Sequence, residues 1–386
     1  MAVEGYGVAG ENAGVGRKFA VLGSPIAHSL SPQIHSAAFA ELGLVGWEYC
    51  RHEVQAAELA DFLQGAGAAY SGFSVTMPLK EQAAQIAVKR CELTAATGVA
   101  NTLLRVPTQD SGAGVAWQAY NTDIPGLQQA CKRAGLNWQN TVILGAGATA
   151  LSAGVAALRA GAERVLFVAR RARSARNIAA KLCQLAQTRA ASLQISTQQT
   201  IIAAASFVSE APFFVAEVVF FTEPDSGKKA ADQGILQAEI AGQNTVGSSP
   251  ENASSQPSGV FQNNSQNTKG DRADHPTCNA NLDAKNYTQH IIDAATLTVS
   301  TLPGGADLPL PEALLKSPLY DVAYSPWPST FALRWDAAGT PAHSGLSMLA
   351  EQALLQLRLF TAGDIAAPLP DETGLLQTIH GIIGLK

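Results

Sequence analysis

The 386-residue chain has no CxxC pair, and its five cysteines, at 50, 91, 131, 183 and 278, are scattered and odd in number. That pattern excludes a disulfide framework and a cysteine zinc site, and it fits reduced thiols. Charge of one sign is equally scarce: 26 lysines and arginines face 31 acids, a formal charge of −5, with no basic tract. Neither nucleic acid nor an anionic membrane finds a footprint there. A long unbroken apolar run is missing as well. The longest, Ile201 to Phe221, is interrupted by Glu210, Pro212 and Glu217, and charges at mid-membrane are costly. It reads as buried strand or helix. Residues 1–16 hold five glycines with Glu4 and Glu11, and lack a basic start followed by an apolar core. They read as a flexible leader rather than a targeting signal, so the expected compartment is the cytoplasm.

What is present points to two cores, since the chain is long enough for two domains. Phe19 to Gly23 reads as a buried strand. Ser31 is a candidate N-cap with Pro32 at the first helical position, where its missing N–H costs nothing. Phe73 to Val75 reads as a further strand, and Lys80 to Lys89 as a helix. This alternation predicts an α/β domain with a mainly parallel sheet. A second unit follows, with strands over Thr141–Gly145 and Arg164–Ala169 around a helix that continues through Gly154 to Gly161. That is a βαβ unit of dinucleotide-binding length. Thr296–Ser300 and Leu319–Tyr324 read as later strands. Ser347–Phe360 reads as a helix with Leu349, Ala353, Leu357 and Phe360 on one face. Residues 243–288 are rich in Asn, Gln, Ser and Gly, a composition that predicts a disordered insertion.

Gly145-Ala146-Gly147-Ala148-Thr149-Ala150 fits G-x-G-x-x-A after a strand and at the opening of a helix. Glycines there let the backbone approach a pyrophosphate, and the helix N-terminus supplies N–H donors. A tight turn packed with small residues is the plainer alternative. No Asp or Glu stands about twenty residues on, where an NAD site usually has one. Ala169-Arg170-Arg171 stands there instead. Guanidinium binds phosphate through charge-assisted bonds, so Arg170 favours NADP, against the plainer reading of a solvated basic face.

Ser29 and Ser31 flank Leu30, and two hydroxyls at alternate positions of an extended chain can hold one carboxylate. Helix capping explains Ser31 equally well. Lys80 follows a strand-like run beside Thr76 and Pro78, and Asp123 follows Asn121-Thr122. A lysine–aspartate pair can move a proton to or from a hydroxyl during hydride transfer. Each alone also reads as a surface charge, and Asp123 as a cap. His28 and His35 lack a ligand partner at metal spacing, so no metal is expected.

These segments together resemble the shikimate dehydrogenase family, from about Arg17 to the C-terminus with the polar insertion excluded. The resemblance is carried by Gly23-Ser24-Pro25-Ile26-Ala27-His28-Ser29-Leu30-Ser31-Pro32, by Val75-Thr76-Met77-Pro78-Leu79-Lys80, and by Gly98-Val99-Ala100-Asn101-Thr102. Asn121-Thr122-Asp123, the glycine turn and Arg170 come next in order. Asp321-Val322-Ala323-Tyr324-Ser325-Pro326 and Gly345-Leu346-Ser347-Met348-Leu349 with Gln352 complete it.

The resemblance implies NADP-dependent, reversible reduction of 3-dehydroshikimate to shikimate by a monomer or homodimer. It implies that Ser29 and Ser31 bind the substrate carboxylate. Thr76, Asn101, Asp123 and Gln352 would bind ring hydroxyls, and Tyr324 would line the site. Lys80 would be the acid/base residue paired with Asp123. Gly145 to Ala150, Arg170, Arg171 and the Gly345 backbone would hold the cofactor. The implied fold is a two-domain α/β one with a cleft between them. A substrate domain would span 17–122 plus 345–386, and a Rossmann-type domain 123–344. Three departures stand out: Ser74 where asparagine is frequent, Ser300-Thr301-Leu302-Pro303 where Asn-Ala-Thr-Pro is usual, and Arg171 where threonine is common. Use of quinate or NAD, and a silent ligand-binding regulator, are the rival readings.

Overall fold

The computed structural model describes residues 16–107, 114–190, 193–195, 200–206, 217–221 and 288–385. The expected leader, apart from Gly16, and the expected insertion, apart from Thr288, lie outside the described residues. The first half builds strands β1 (Lys18–Gly23), β2 (Glu48–Glu53), β3 (Gly72–Val75), β4 (Lys89–Arg90), β5 (Thr102–Val106) and β6 (Ala116–Tyr120). Helices α1 (Ser31–Glu41), α2 (Leu59–Gln64), α3 (Lys80–Ile86) and α4 (Glu92–Thr97) connect them. The sheet order is β2-β1-β3-β5-β6-β4.

This sheet is mainly parallel, as expected, with one antiparallel strand in it. β1, β2 and β3 run parallel, but β5 is antiparallel to both β3 and β6. The link between β5 and β6 explains it. Residues 107 to 115 are too few for the crossover that a parallel pair requires. One correction concerns α3, which ends at Ile86 rather than Lys89. Ala87 turns extended, and Lys89–Arg90 pairs with β6.

The second half begins with α5 (Asp123–Arg133), β7 (Asn140–Leu144), α6 (Ala148–Arg159), β8 (Arg164–Ala169) and α7 (Ala172–Arg189). It continues through β9 (Thr200–Ser206), β10 (Glu217–Phe221), helix α8 over 288–293, β11 (Leu297–Ser300), β12 (Leu319–Asp321), α9 (Thr330–Ala337) and β13 (Ala342–Ser344). Helices α10 (Leu346–Ala362) and α11 (Glu372–Ile383) close the described chain.

The strand order is β10-β9-β8-β7-β11-β12-β13, parallel throughout except for β10 against β9. The apolar run from Ile201 thus contributes two antiparallel strands at one edge. No described helix is long and apolar enough to cross a membrane. The order reverses between β7 and β11, a switch point of the kind beside which open α/β sheets bind ligands.

Each sheet is covered on both faces. On the first, one layer packs Phe73, Leu79 and Trp117, while the other packs Phe19 and Ile34 under residues of α10 and α11. Phe19 and Phe360 lie with ring centroids 4.4 Å apart, so truncating either to alanine costs about 3–5 kcal/mol. Helix α10 carries the expected face of Leu349, Ala353, Leu357 and Phe360, but Met348, Glu351, Leu354 and Gln356 are buried too. It is enclosed because α5 packs on its other side. Gly126 makes that approach possible: a Cβ there would stand 3.0 Å from the Cβ of Gln352.

Candidate functional site

A cavity of ≈ 220 Å³ opens where strands of both sheets end, lined by Ser29, Ser31, Thr76, Lys80, Asn101 and Asp123 from the first half of the chain. Thr149, Val322, Tyr324, Gly345 and Gln352 line it from the second. It is smaller than pockets for drug-sized ligands, which suits a single small polar ring. The predicted substrate-site residues, separated by more than 300 positions, all meet here.

Lys80 opens α3, directly after the turn that follows β3, and its Nζ lies 2.6 Å from Asp123 Oδ2. The lysine side chain is 14% exposed and the aspartate 2%. Removing either partner would strand a buried charge, so the pair is a fixed part of the site. Asp123 is the first residue of α5, where the helix dipole favours its negative charge. It does not cap that helix. Asn121 Oδ1 does so, accepting the Asp123 amide at 3.1 Å, and Asn121 is anchored in turn by Ser152 at 3.1 Å. The carboxylate is therefore free for Lys80 and for Asn101, whose Nδ2 donates to Oδ1 at 2.9 Å. Asn101 also donates to Gln352 Oε1 at 3.2 Å, leaving the Gln352 amide nitrogen as a donor for a ligand oxygen.

The two serines arrive in a different geometry from the expected extended one. Leu30 is helical in its backbone angles and Ser31 already lies within α1 without capping it. Ser29 supplies the bond instead, its Oγ accepting the Ser31 amide at 3.3 Å. Both remain in the cavity wall. Tyr324 is largely enclosed, and burial raises its phenol above the usual range. Strand β12 ends at Asp321 rather than reaching Tyr324. Gly345 passes so close to the Val322 carbonyl oxygen that any Cβ would collide with it. His28 is exposed at the mouth; His35 is fully buried away from it.

A second groove of ≈ 650 Å³ runs past Gly145, Ala146, Arg170, Arg171 and Ser174, with the segment after β11 as its other wall. Gly145 takes φ +123°, in the region that glycine favours, and a Cβ there would strike Thr301 Oγ1. Thr301, one of the departing residues, donates to the Leu144 carbonyl at 2.9 Å and so buttresses the turn. Gly147, at the N-terminus of α6, faces open space for 4 Å around an added Cβ. A phosphate could approach the helix N–H groups there. Ala148, Thr149 and Ala150 form the first turn of that helix, Thr149 facing the Lys80–Asp123 cavity. Arg170 and Arg171 are exposed, with no side-chain hydrogen bond or ion pair among the described residues.

Sequence reasoning missed Gln356, which lines the cavity, and the polar residues behind it, Tyr49, Thr102 and His35. Tyr49 donates to Ser74 at 2.6 Å, Ser74 to Gln356 Oε1 at 2.7 Å, and Gln356 Nε2 to Thr102 at 2.9 Å. Ser74, another departing residue, is thus fully engaged. Gln356 one turn beyond Gln352, inside an otherwise apolar buried helix face, was the available signal.

Comparison with known proteins agrees with this geometry. The family model described as the shikimate dehydrogenase substrate binding domain matches residues 21–103. A protein of Nitrosopumilus maritimus named shikimate dehydrogenase (NADP(+)) is 33% identical over 167 residues, covering 42% of this chain and 58% of that protein. One of Anaeromyxobacter dehalogenans with the same name is 37% identical over 134 residues, 34% of this chain and 45% of that protein. The chain spans about half the length of the curated relatives it matches. In structure, the chain resembles the shikimate dehydrogenase of Mycobacterium tuberculosis with a TM-score of 0.60 and 27% identity, covering 96% of this chain and 100% of that one. A 5-ketofructose reductase of Gluconobacter shares the fold at TM-score 0.57 and 18% identity, covering 95% of this chain and 99% of that one. The fold by itself therefore does not select the substrate.

Proposed function

We propose that this chain is an NADP-dependent shikimate dehydrogenase, reversibly reducing 3-dehydroshikimate to shikimate. The observation that carries the reading is the Lys80–Asp123 pair at 2.6 Å in the wall of a small polar cavity. It is supported by the relatives and structural neighbours that bear this name.

On this reading Ser29 and Ser31 hold the substrate carboxylate at one end of the cavity. Asn101, Thr76, Asp123 and Gln352 meet the ring hydroxyls, with Tyr324 closing the side. The reduced nicotinamide, when bound, supplies the hydride to the carbonyl carbon. As the oxygen gains negative charge, Lys80 Nζ donates a proton to it, and the Asp123 carboxylate holds the ammonium in line. In the reverse direction Lys80 accepts that proton. The open backbone at Gly147, the φ +123° turn at Gly145 and the exposed pair Arg170–Arg171 fit a dinucleotide with a 2′-phosphate. Gly345 would offer its backbone to the nicotinamide, its Cβ position being taken by the Val322 carbonyl.

The proposed division assigns 17–122 with 345–386 to substrate and 123–344 to cofactor. The proposed setting is the cytoplasm, as monomer or homodimer, with small molecules as the only partners. The test is absorbance at the reduced-nicotinamide band with shikimate or quinate and NADP or NAD. Turnover is expected with shikimate and NADP. Faster turnover with quinate or with NAD would move the protein to the sibling dehydrogenases. Ligand binding without turnover would make it a silent regulator.

A further inference from the structure

The buried polar residues at the back of the cavity, of which Ser74 and Gln356 reach its wall, form a directed chain rather than a loose cluster. Gln356 Oε1 has lone pairs only, and it faces the Ser74 hydroxyl at 2.7 Å and His35 Nε2 at 3.2 Å. His35 must therefore carry its proton on Nε2. Its Nδ1, left as a bare acceptor, has no partner. Full burial depresses the imidazole to about 3, so it stays neutral, with one ring proton to place. The Asn101 carbonyl, which can only accept, lies 3.4 Å from Gln356 Nε2 and sets the orientation of that amide, so that Nε2 also donates to Thr102 Oγ1 at 2.9 Å.

Thr102 receives that proton and passes its own to Asn101 Oδ1 at 3.0 Å. Asn101 Oδ1 also accepts the Thr122 amide at 2.8 Å. Both bonds fix the oxygen face of the Asn101 amide inward. Its nitrogen is thereby turned toward Thr122 Oγ1 at 2.8 Å, Asp123 at 2.9 Å and Gln352 at 3.2 Å.

We propose that Gln356 is a positioning residue of the active site, acting through Thr102 to set the orientation of the Asn101 amide and hence of the Asp123 carboxylate against Lys80. The proposal rests on the reading of Lys80 and Asp123 as the reacting pair. Helix α10 thus serves the site twice: Gln352 directly, and Gln356 one turn on through the relay. A flipped Asn101 would present its oxygen to the carboxylate and repel it. The relay opposes that flip together with the Thr122 backbone amide.

The test uses the full chain with Gln356→Met, which keeps length but removes the side-chain hydrogen bonds of Gln356, and Thr102→Val, which removes the middle link at constant shape. Thr102→Ser restores the hydroxyl. Two readouts are taken: steady-state turnover of shikimate with NADP, and hydrogen exchange of the Asn101 side-chain amide in asparagine-labelled protein, assigned by its loss in Asn101→Asp. Each broken link should lower kcat about 10-fold or more with a smaller change in KM, since sub-ångström misplacement has effects of this size. Exchange at Asn101 should accelerate in both, and Thr102→Ser should return both readouts most of the way. The double variant should be no worse than either single one, as expected of links in series. Unchanged exchange at Asn101, or losses that simply add, would overturn the relay. Thr102→Val, the smaller perturbation, decides the matter should Gln356→Met not fold. A wild-type protein without turnover on shikimate would sink the reaction assigned above, while the exchange measurement would still decide the relay.

Discussion

The substrate cavity and the glycine-turn groove lie side by side but are finished to different degrees. In the cavity nearly every polar side chain is held by another: Asp123 by Lys80 and Asn101, Asn101 by Thr102, Ser74 by Tyr49 and Gln356. In the groove the recognition groups are open backbone and two exposed guanidiniums without a described partner. A site that must hold reacting atoms within a fraction of an ångström is built in advance. A site that must grip an anion can leave its donors solvated until the anion arrives. Chemistry is set by preorganisation, affinity by complementary charge.

The comparison can be broken most severely at Lys80. Lys80→Ala should lower kcat by about 10²–10⁴-fold, the usual worth of a positioned acid/base, while fluorescence titration finds NADP binding nearly intact. Loss of binding in step with turnover would erase the distinction between the two regions.

A substitution in the groove should act the other way. Arg170→Ala should raise KM for NADP by about 10-fold or more, a lost charge-assisted contact of about 1.5–3 kcal/mol, and leave KM for shikimate and use of NAD close to their starting values. Equal effects on both substrates would remove the phosphate assignment. Gly345→Ala joins the regions. Its Cβ must displace the Val322 carbonyl, and overpacking of this kind costs about 1–3 kcal/mol in thermal unfolding. An unchanged transition would show that the loop moves freely.

The smallest effect reads the interior of the cavity wall by pH. His35 is neutral in the fold, depressed from 6.5 to about 3 by burial. The unfolded chain binds a proton there below about pH 6.5 and the native one does not, so this contribution is complete above that pH and is lost as pH falls toward 3. Between pH 8 and pH 5 it should cost about 2 kcal/mol of unfolding free energy. His35→Gln, which keeps a donor near Gln356, should flatten that slope in denaturant titrations. The same slope in the variant would assign the acid loss to other groups.

Much of this was legible in the sequence wherever the information is contiguous. The glycine turn, the segment around Lys80 and the strand over Arg164–Ala169 each carry their meaning within a few residues, and β8 has the expected bounds. What depends on distant partners was hidden. Asp123 read as a cap because nothing local shows that Asn121 takes that task. Ser74 read as a departure because its partner, Gln356, stands 282 positions away. The antiparallel β5 in the otherwise parallel first sheet was not read because strand runs do not announce direction, and only the short β5–β6 link decides it.

The seat of α10 and α11 also governs the order in which the protein can be made. Phe19, Ile34 and Phe39 at the start of the chain share one core with Leu357, Phe360, Leu376 and Ile379 at its far end. As the ribosome delivers about 5–20 residues per second, that apolar face waits on the order of tens of seconds for its cover. The Rossmann-like sheet in between can close first, before the layer that carries Gln352 and Gln356 exists. The first-made sheet is therefore among the last to be sealed, and a nascent chain halted before Leu346 presents a sticky surface rather than a finished domain.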